Sequence, residues 1–144
     1  MKITPPVTLI RQYKKLPVPQ KRIMNTALEI YQNERIAFQR SANVIFCSDY
    51  IIRKLNSAYR GINRATDVLS FPFGDSDFLG EIYISLPRAR NQARRYGSSY
   101  EDEIIRLFVH GMFHLLGYDH DTGLKRKKME SKESKYIETR YVSD

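Results

Sequence analysis

The tightest constraint on this chain is the stretch Val109-His110-Gly111-Met112-Phe113-His114-Leu115-Leu116-Gly117-Tyr118-Asp119-His120, which holds every histidine in the protein. His110 and His114 are four residues apart, so on a helix they project from one face about a turn apart. Gly117 follows a turn later and suits the left-handed residue that ends a helix. A chain that reverses there brings His120 back towards the first two imidazoles. Three neutral imidazoles with a fourth position left open make a catalytic zinc site, whereas a structural site is closed by four ligands. The lone cysteine, Cys47, is distant in sequence, and nothing marks it as that fourth ligand.

The residues before the histidines predict the helix that must carry them. From Tyr100 to Leu116 apolar residues cover most of the helix circumference, with Ile104, Ile105, Leu107, Phe108, Val109, Met112, Phe113, Leu115 and Leu116 among them. Such a helix is central and buried. Ser98 or Ser99 can cap its start, with Glu101 or Asp102 three residues on in a capping-box pattern. Histidines in so apolar a stretch lose solvation unless they find partners. A metal supplies that partner; backbone carbonyls are the plainer alternative. The spacing H-x-x-x-H-x-x-G-x-x-H is that of the metzincin proteases, but Gly111 stands where a metalloprotease carries its general-base glutamate. Glycine neither holds nor passes a proton, so peptide hydrolysis by that route is disfavoured, while metal activation of water is not.

Length and charge narrow the partners. A chain of 144 residues predicts a single domain over 1–144, and 42% apolar residues are enough for a core. The net charge of +8 favours a polyanionic partner such as RNA. One cysteine argues against a disulfide framework and fits a reducing cytosol, and Cys47 reads as a small core residue. No signal peptide is evident, and no apolar run approaches the ~18 residues of a membrane span, so the expected location is cytoplasmic and the expected partners include no membrane.

Strand and helix patterns alternate irregularly along the chain. Val7 to Ile10 reads as a strand, and Pro17 and Pro19 open a helix in which Ile23, Ala27, Ile30 and Tyr31 recur at helical spacing. Residues 33–40 fit strand or turn equally. Val44 to Cys47 reads as a strand, followed by a helix capped by Ser48 or Asp49 and ended at Arg60-Gly61. Val68 to Phe73 and Gly80 to Ser85 pair as a hairpin, Pro87 opens a helix that Gly97 stops, and the histidine helix follows. Leu124, Met129, Lys132, Tyr136 and Ile137 predict a last amphipathic helix over the surface. Three or four strands and about five helices in this mixed order give an α+β fold with a small mixed sheet.

These residues resemble the YbeY family, bacterial single-strand-specific endoribonucleases that act in ribosomal RNA maturation. The run from His110 to His120 is similar to the family signature. Leu55-Asn56-Ser57-Ala58-Tyr59-Arg60, Thr66-Asp67-Val68-Leu69-Ser70-Phe71-Pro72-Phe73 and Gly80-Glu81-Ile82-Tyr83-Ile84-Ser85 match its other blocks in order and spacing. The likeness covers roughly residues 42–140; Glu81 departs from it, since many members have aspartate there. The resemblance implies an α+β fold with the histidine helix at its core and one zinc ion, or another divalent transition metal, on His110, His114 and His120. It also makes Arg60 the functional arginine. It further implies single-stranded RNA and ribosomal RNA precursors as substrates, 16S 3′-end processing and ribosome quality control as roles, and the ribosome or its small subunit as partner, with no DNA expected.

Beside this reading, an arginine at a helix end is otherwise simply favourable to the helix dipole. Asp67 and Ser70 are candidate acceptors that orient a histidine, or else a turn residue and a strand hydroxyl. Asp119 and Asp121 flank the third histidine and shape its turn. Lys125 to Lys128 and the run Arg88, Arg90, Arg94 and Arg95 are either phosphate-tracking or solvated faces. Tyr96 and Tyr100 fit core packing better than base stacking. Met129, embedded in charged helix, does not read as a metzincin methionine turn. Two rival functions remain open: a zinc metallopeptidase-like hydrolase, and a ribosome assembly factor whose metal only holds the fold.

Overall fold

The computed structural model describes residues 3–137. Within them the order is β1 (Val7–Arg11), α1 (Gln20–Asn33), β2 (Ser41–Cys47), α2 (Asp49–Arg60), β3 (Val68–Pro72), β4 (Phe78–Ser85), α3 (Leu86–Tyr96), α4 (Tyr100–Leu115) and α5 (Gly123–Glu133). The four strands form one mixed sheet in the order β1-β2-β4-β3. β1, β2 and β4 run parallel, and β3 returns antiparallel on β4 with Val68 opposite Ile84 and Ser70 opposite Ile82. The expected α+β class, mixed sheet and five helices are all present. β2 begins three residues earlier than the apolar run at Val44, because Ser41 and Ala42 already pair with β4. Residues 34–40, equivocal between strand and turn, are a connection in which Arg35 takes a positive φ of 58°.

Strand periodicity divides the core in two. Val44, Phe46, Ile82 and Ile84 point to one face, where α1, α3 and α4 bury Ile23, Ala89, Phe108 and Phe113. Ile45, Cys47 and Leu69 point to the other, under Ile52 of α2. Burying each large side chain of this kind contributes about 1.5–3 kcal/mol. Cys47 has no exposed surface, and burial raises its thiol to about 12, which fits a core residue and no ligand.

The helix ends follow the sequence closely. Ser99 caps α4, its hydroxyl accepting from Asp102 N–H at 3.0 Å. Ser48 caps α2 in the same way, and Gly61 closes it at φ 70°. At the far end of α4, Gly117 takes φ 97°, its N–H donating to His114 C=O while Tyr118 N–H donates to Phe113 C=O. This double bond pattern is a Schellman motif, and it makes the reversal that the histidine spacing called for.

α5 does more than lie on the surface. Met129 is buried at 1% exposure. Beyond the helix, Tyr136 Oη donates to Glu34 at 2.7 Å, and Lys132 Nζ donates to the other Glu34 oxygen at 3.1 Å. Lys125, Arg126, Lys127 and Lys128 are all exposed on α5. Arg88 is drawn into an ion pair with Asp49, while Arg94 and Arg95 face solvent. Tyr96 is 63% exposed, a departure from the expected core packing: it is the last residue of α3, beyond the buried stripe of Ala89 and Ala93. Tyr100 is tied to the Pro17 carbonyl at 2.7 Å.

Candidate metal centre

The three histidines converge, and they do so for a local reason. α4 lies across β3 and β4, and Gly111 lets it come close: a Cβ there would stand 2.6 Å from Ile82 Cγ2. With Gly111 turned to the sheet, His110 and His114 take the flank of the helix that faces the β3 edge, and both are half-buried. The turn at Gly117 returns His120 to them from an exposed loop. One ligand atom from each of the three lies within 4.8 Å of the others.

The nitrogens fit a metal. His110 Nε2 and His114 Nε2 are 3.2 Å apart. Two nitrogens each ~2.0–2.1 Å from one tetrahedral ion stand about 3.3 Å apart. The ring planes of His110 and His114 stand at 82° to each other, edge to face rather than stacked. Burial, and then the neighbouring His110 and His120, hold the His114 imidazole below its ordinary pKa. The neutral form is the one that binds a metal. Nδ1 of His110 is turned away from the other two histidines and lies 2.6 Å from Glu133 Oε2 on α5.

An open pocket of about 260 Å³ lies over the histidines. It is lined by Arg60 at the end of α2, by Asp67 just before the edge strand and by Ser70 within it. Arg60 is exposed and has no hydrogen-bond or ion-pair partner among the described residues. Its charge reaches His114, where it helps lower the imidazole pKa. Asn56, buried beneath, donates to Arg64 C=O at 2.8 Å and so pins the loop that follows Arg60.

The two expected orienting residues do something else. Ser70 Oγ donates to the Gly111 carbonyl at 3.3 Å, tying the edge strand to α4 rather than to an imidazole. Asp67 accepts from Thr66 and from Gln92 at 3.2 Å, and its carboxylate lies 3.8 Å from Arg106. Asp119 accepts from the backbone N–H of Asp121, so this pair does shape the turn after His120. The carboxylate that does meet a histidine, Glu133, was not foreseen. The available signal was its place one turn after Met129, on the inward stripe of α5.

Known proteins place this arrangement. The family model for endoribonuclease YbeY matches residues 9–140. Proteins named endoribonuclease YbeY are similar to the chain. That of Caldanaerobacter subterraneus is 43% identical over 123 residues, covering 74% of this chain and 78% of its own length. That of Acholeplasma laidlawii is 42% identical over 125 residues, covering 85% and 88%. Among solved structures, the solution structure of TM1509 from Thermotoga maritima superposes with a TM-score of 0.64 at 31% identity, over 90% of this chain and 85% of that one.

Proposed function

The chain belongs to the endoribonuclease YbeY family and is thereby a hydrolase of RNA, and from this premise we propose that it is a metal-dependent, single-strand-specific endoribonuclease of ribosomal RNA maturation. Its substrates are ribosomal RNA precursors, with the 3′ end of 16S rRNA and defective ribosomes as the targets that the family likeness suggests. It works in the cytoplasm as one domain over 1–144, in contact with the ribosome or its small subunit. No helix among the described residues is long and apolar enough to cross a membrane, in keeping with that setting.

The observation that carries the reading is the meeting of three imidazoles and one unpaired guanidinium in a single open pocket. His110, His114 and His120 would hold the ion, with zinc the first choice for three imidazoles and an open position. When bound, such a cation supplies Lewis acidity and makes hydroxide available near neutral pH. Arg60 does the complementary work: its planar fork binds two non-bridging oxygens of the scissile phosphate and stabilises the charge that builds there. Because no carboxylate among the described residues pairs with Arg60, its charge is available to that phosphate.

Gly111 bears on the metallopeptidase alternative. Its missing side chain would point into Ile82 of the sheet, so that position cannot present a general base to the histidines. The test is cleavage of a single-stranded RNA by wild type and His114→Ala, prepared identically. Cleavage by wild type alone, lost on chelation and restored by Zn2+, is the expected result. Equal cleavage by both proteins would refute the metal-dependent reading. Cleavage by neither, with RNA binding retained, would favour the assembly-factor alternative.

A further inference from the structure

We infer that Glu133 is a positioning residue for the metal centre, fixing the tautomer and orientation of His110 so that its Nε2 lone pair faces the ion. The inference rests on the reading of the three histidines as metal ligands. Its basis is the pair of contacts that His110 makes with its two ring nitrogens. Nε2 faces His114 Nε2 at 3.2 Å, inside the triad. Nδ1 faces Glu133 Oε2 at 2.6 Å, on the opposite side of the ring. With Oε2 as the acceptor of this contact, Nδ1 carries the hydrogen and Nε2 is left as the free lone pair. The other neutral tautomer would put a hydrogen where the ion must sit.

Glu133 is built to hold that contact. Its side chain is 12% exposed, against 27% for His110, so water competes little for the carboxylate. It projects from α5 one turn after the buried Met129. Lys132 and Tyr136 on either side of it both donate to Glu34 at the end of α1, which fixes the C-terminal end of α5. Among the described residues neither His114 nor His120 has a carboxylate on its ring. The hydrogen-bonded contact of α5 with the centre is therefore made at His110. In histidine–metal sites a carboxylate behind the imidazole also raises its basicity as a ligand.

The test uses wild type, Glu133→Ala and Glu133→Gln, each stripped of metal and titrated with Zn2+ in competition with a chromophoric chelator. Glu133→Ala is expected to weaken Zn2+ binding by about 10–100-fold. Glu133→Gln is expected to fall between, since its amide oxygen still accepts from Nδ1–H without the charge. Long-range proton–nitrogen correlation spectra of the metal-free proteins, taken where the rings are neutral, should show His110 as the Nδ1–H tautomer in wild type and as a mixture in Glu133→Ala. A residue that merely held α5 in place would lower the melting temperature of the metal-free protein and leave the affinity of folded protein untouched. Equal Zn2+ affinity in all three proteins, or an Nε2–H His110 in metal-free wild type, would overturn the role of Glu133 alone. Wild-type protein that takes up no Zn2+ would overturn the metal reading and this role with it.

Discussion

The Cβ that Gly111 lacks would stand 2.6 Å from Cγ2 of Ile82, with two more Ile82 carbons within 3.2 Å. The glycine between the two histidines of the helix is thus a packing requirement, set by how closely α4 approaches β4. Overfilling a packed core costs about 1–3 kcal/mol, offset by the ~1 kcal/mol that alanine gains over glycine in a helix. Gly111→Ala is expected to be destabilised on balance, by up to about 2 kcal/mol in denaturant midpoint measurements. In an Ile82→Ala background, where the obstructing atoms are gone, the same change should cost nothing or stabilise.

Metal loading should stabilise the fold through all three histidines. Anything that binds only the native state adds about 2.7 kcal/mol when present at 100 times its dissociation constant. Zn2+ is therefore expected to raise the melting temperature of wild type. His120→Ala should abolish that rise while leaving the metal-free melting temperature unchanged, because His120 is exposed and on a loop. Differential scanning calorimetry with and without Zn2+ reads both effects.

Arg60→Ala should cost turnover and not stability. Removing a donor that stabilises transition-state charge typically costs about 2.7–4 kcal/mol, or 10²–10³ in kcat. Arg60→Lys should recover only part, since an ammonium cannot match two oxygens at once. Because Arg60 is exposed and has no partner among the described residues, neither change should move the melting temperature by more than a degree or so. Turnover within a fewfold of wild type for Arg60→Ala would remove it from the chemistry.

Glu34 gives the fold an acid limit. Burial alone would raise its carboxyl pKa, but hydrogen bonds from Tyr136 and Lys132 and the Lys132 charge outweigh this and hold it below 4.5. A carboxyl depressed on folding contributes stability that is present above its unfolded pKa and is lost as pH falls through the folded value. Wild type should therefore lose melting temperature progressively below pH 4.5, the ordinary value of the group. In Glu34→Gln that part of the slope should be missing, and α5 should be the first helix to lose amide protection.

The local features were legible because their physics is local. The helix over Tyr100–Leu115, its Ser99 cap and the turn at Gly117 follow from apolar spacing, a hydroxyl before the first turn and a residue that tolerates positive φ. The hairpin of β3 and β4 was equally plain. Asp67 and Ser70 were read either as acceptors for a histidine or as a turn residue and a strand hydroxyl, and the structure shows the second. A carboxylate beside a strand or a hydroxyl within it carries no mark of which group it will meet, and here Gln92 and the Gly111 carbonyl meet them. Tyr96 misled because an aromatic at a helix end reads like one in its middle.

The sequence by itself determined the metal-binding triad, since the spacing from His110 to His120 leaves a helix and one reversal almost no other way to arrange the rings. It also determined the family, through blocks whose order and spacing are written in the chain. Only the tertiary structure decided how those rings are surrounded. It brings Arg60, already named by the resemblance, to them at the end of α2, and it sends Glu133 to His110 from a helix that begins after the last histidine. Those contacts depend on where whole elements come to rest against one another. That is settled by the burial of Met129, Ile82 and Phe113 far more than by any pattern in the residues that end up touching.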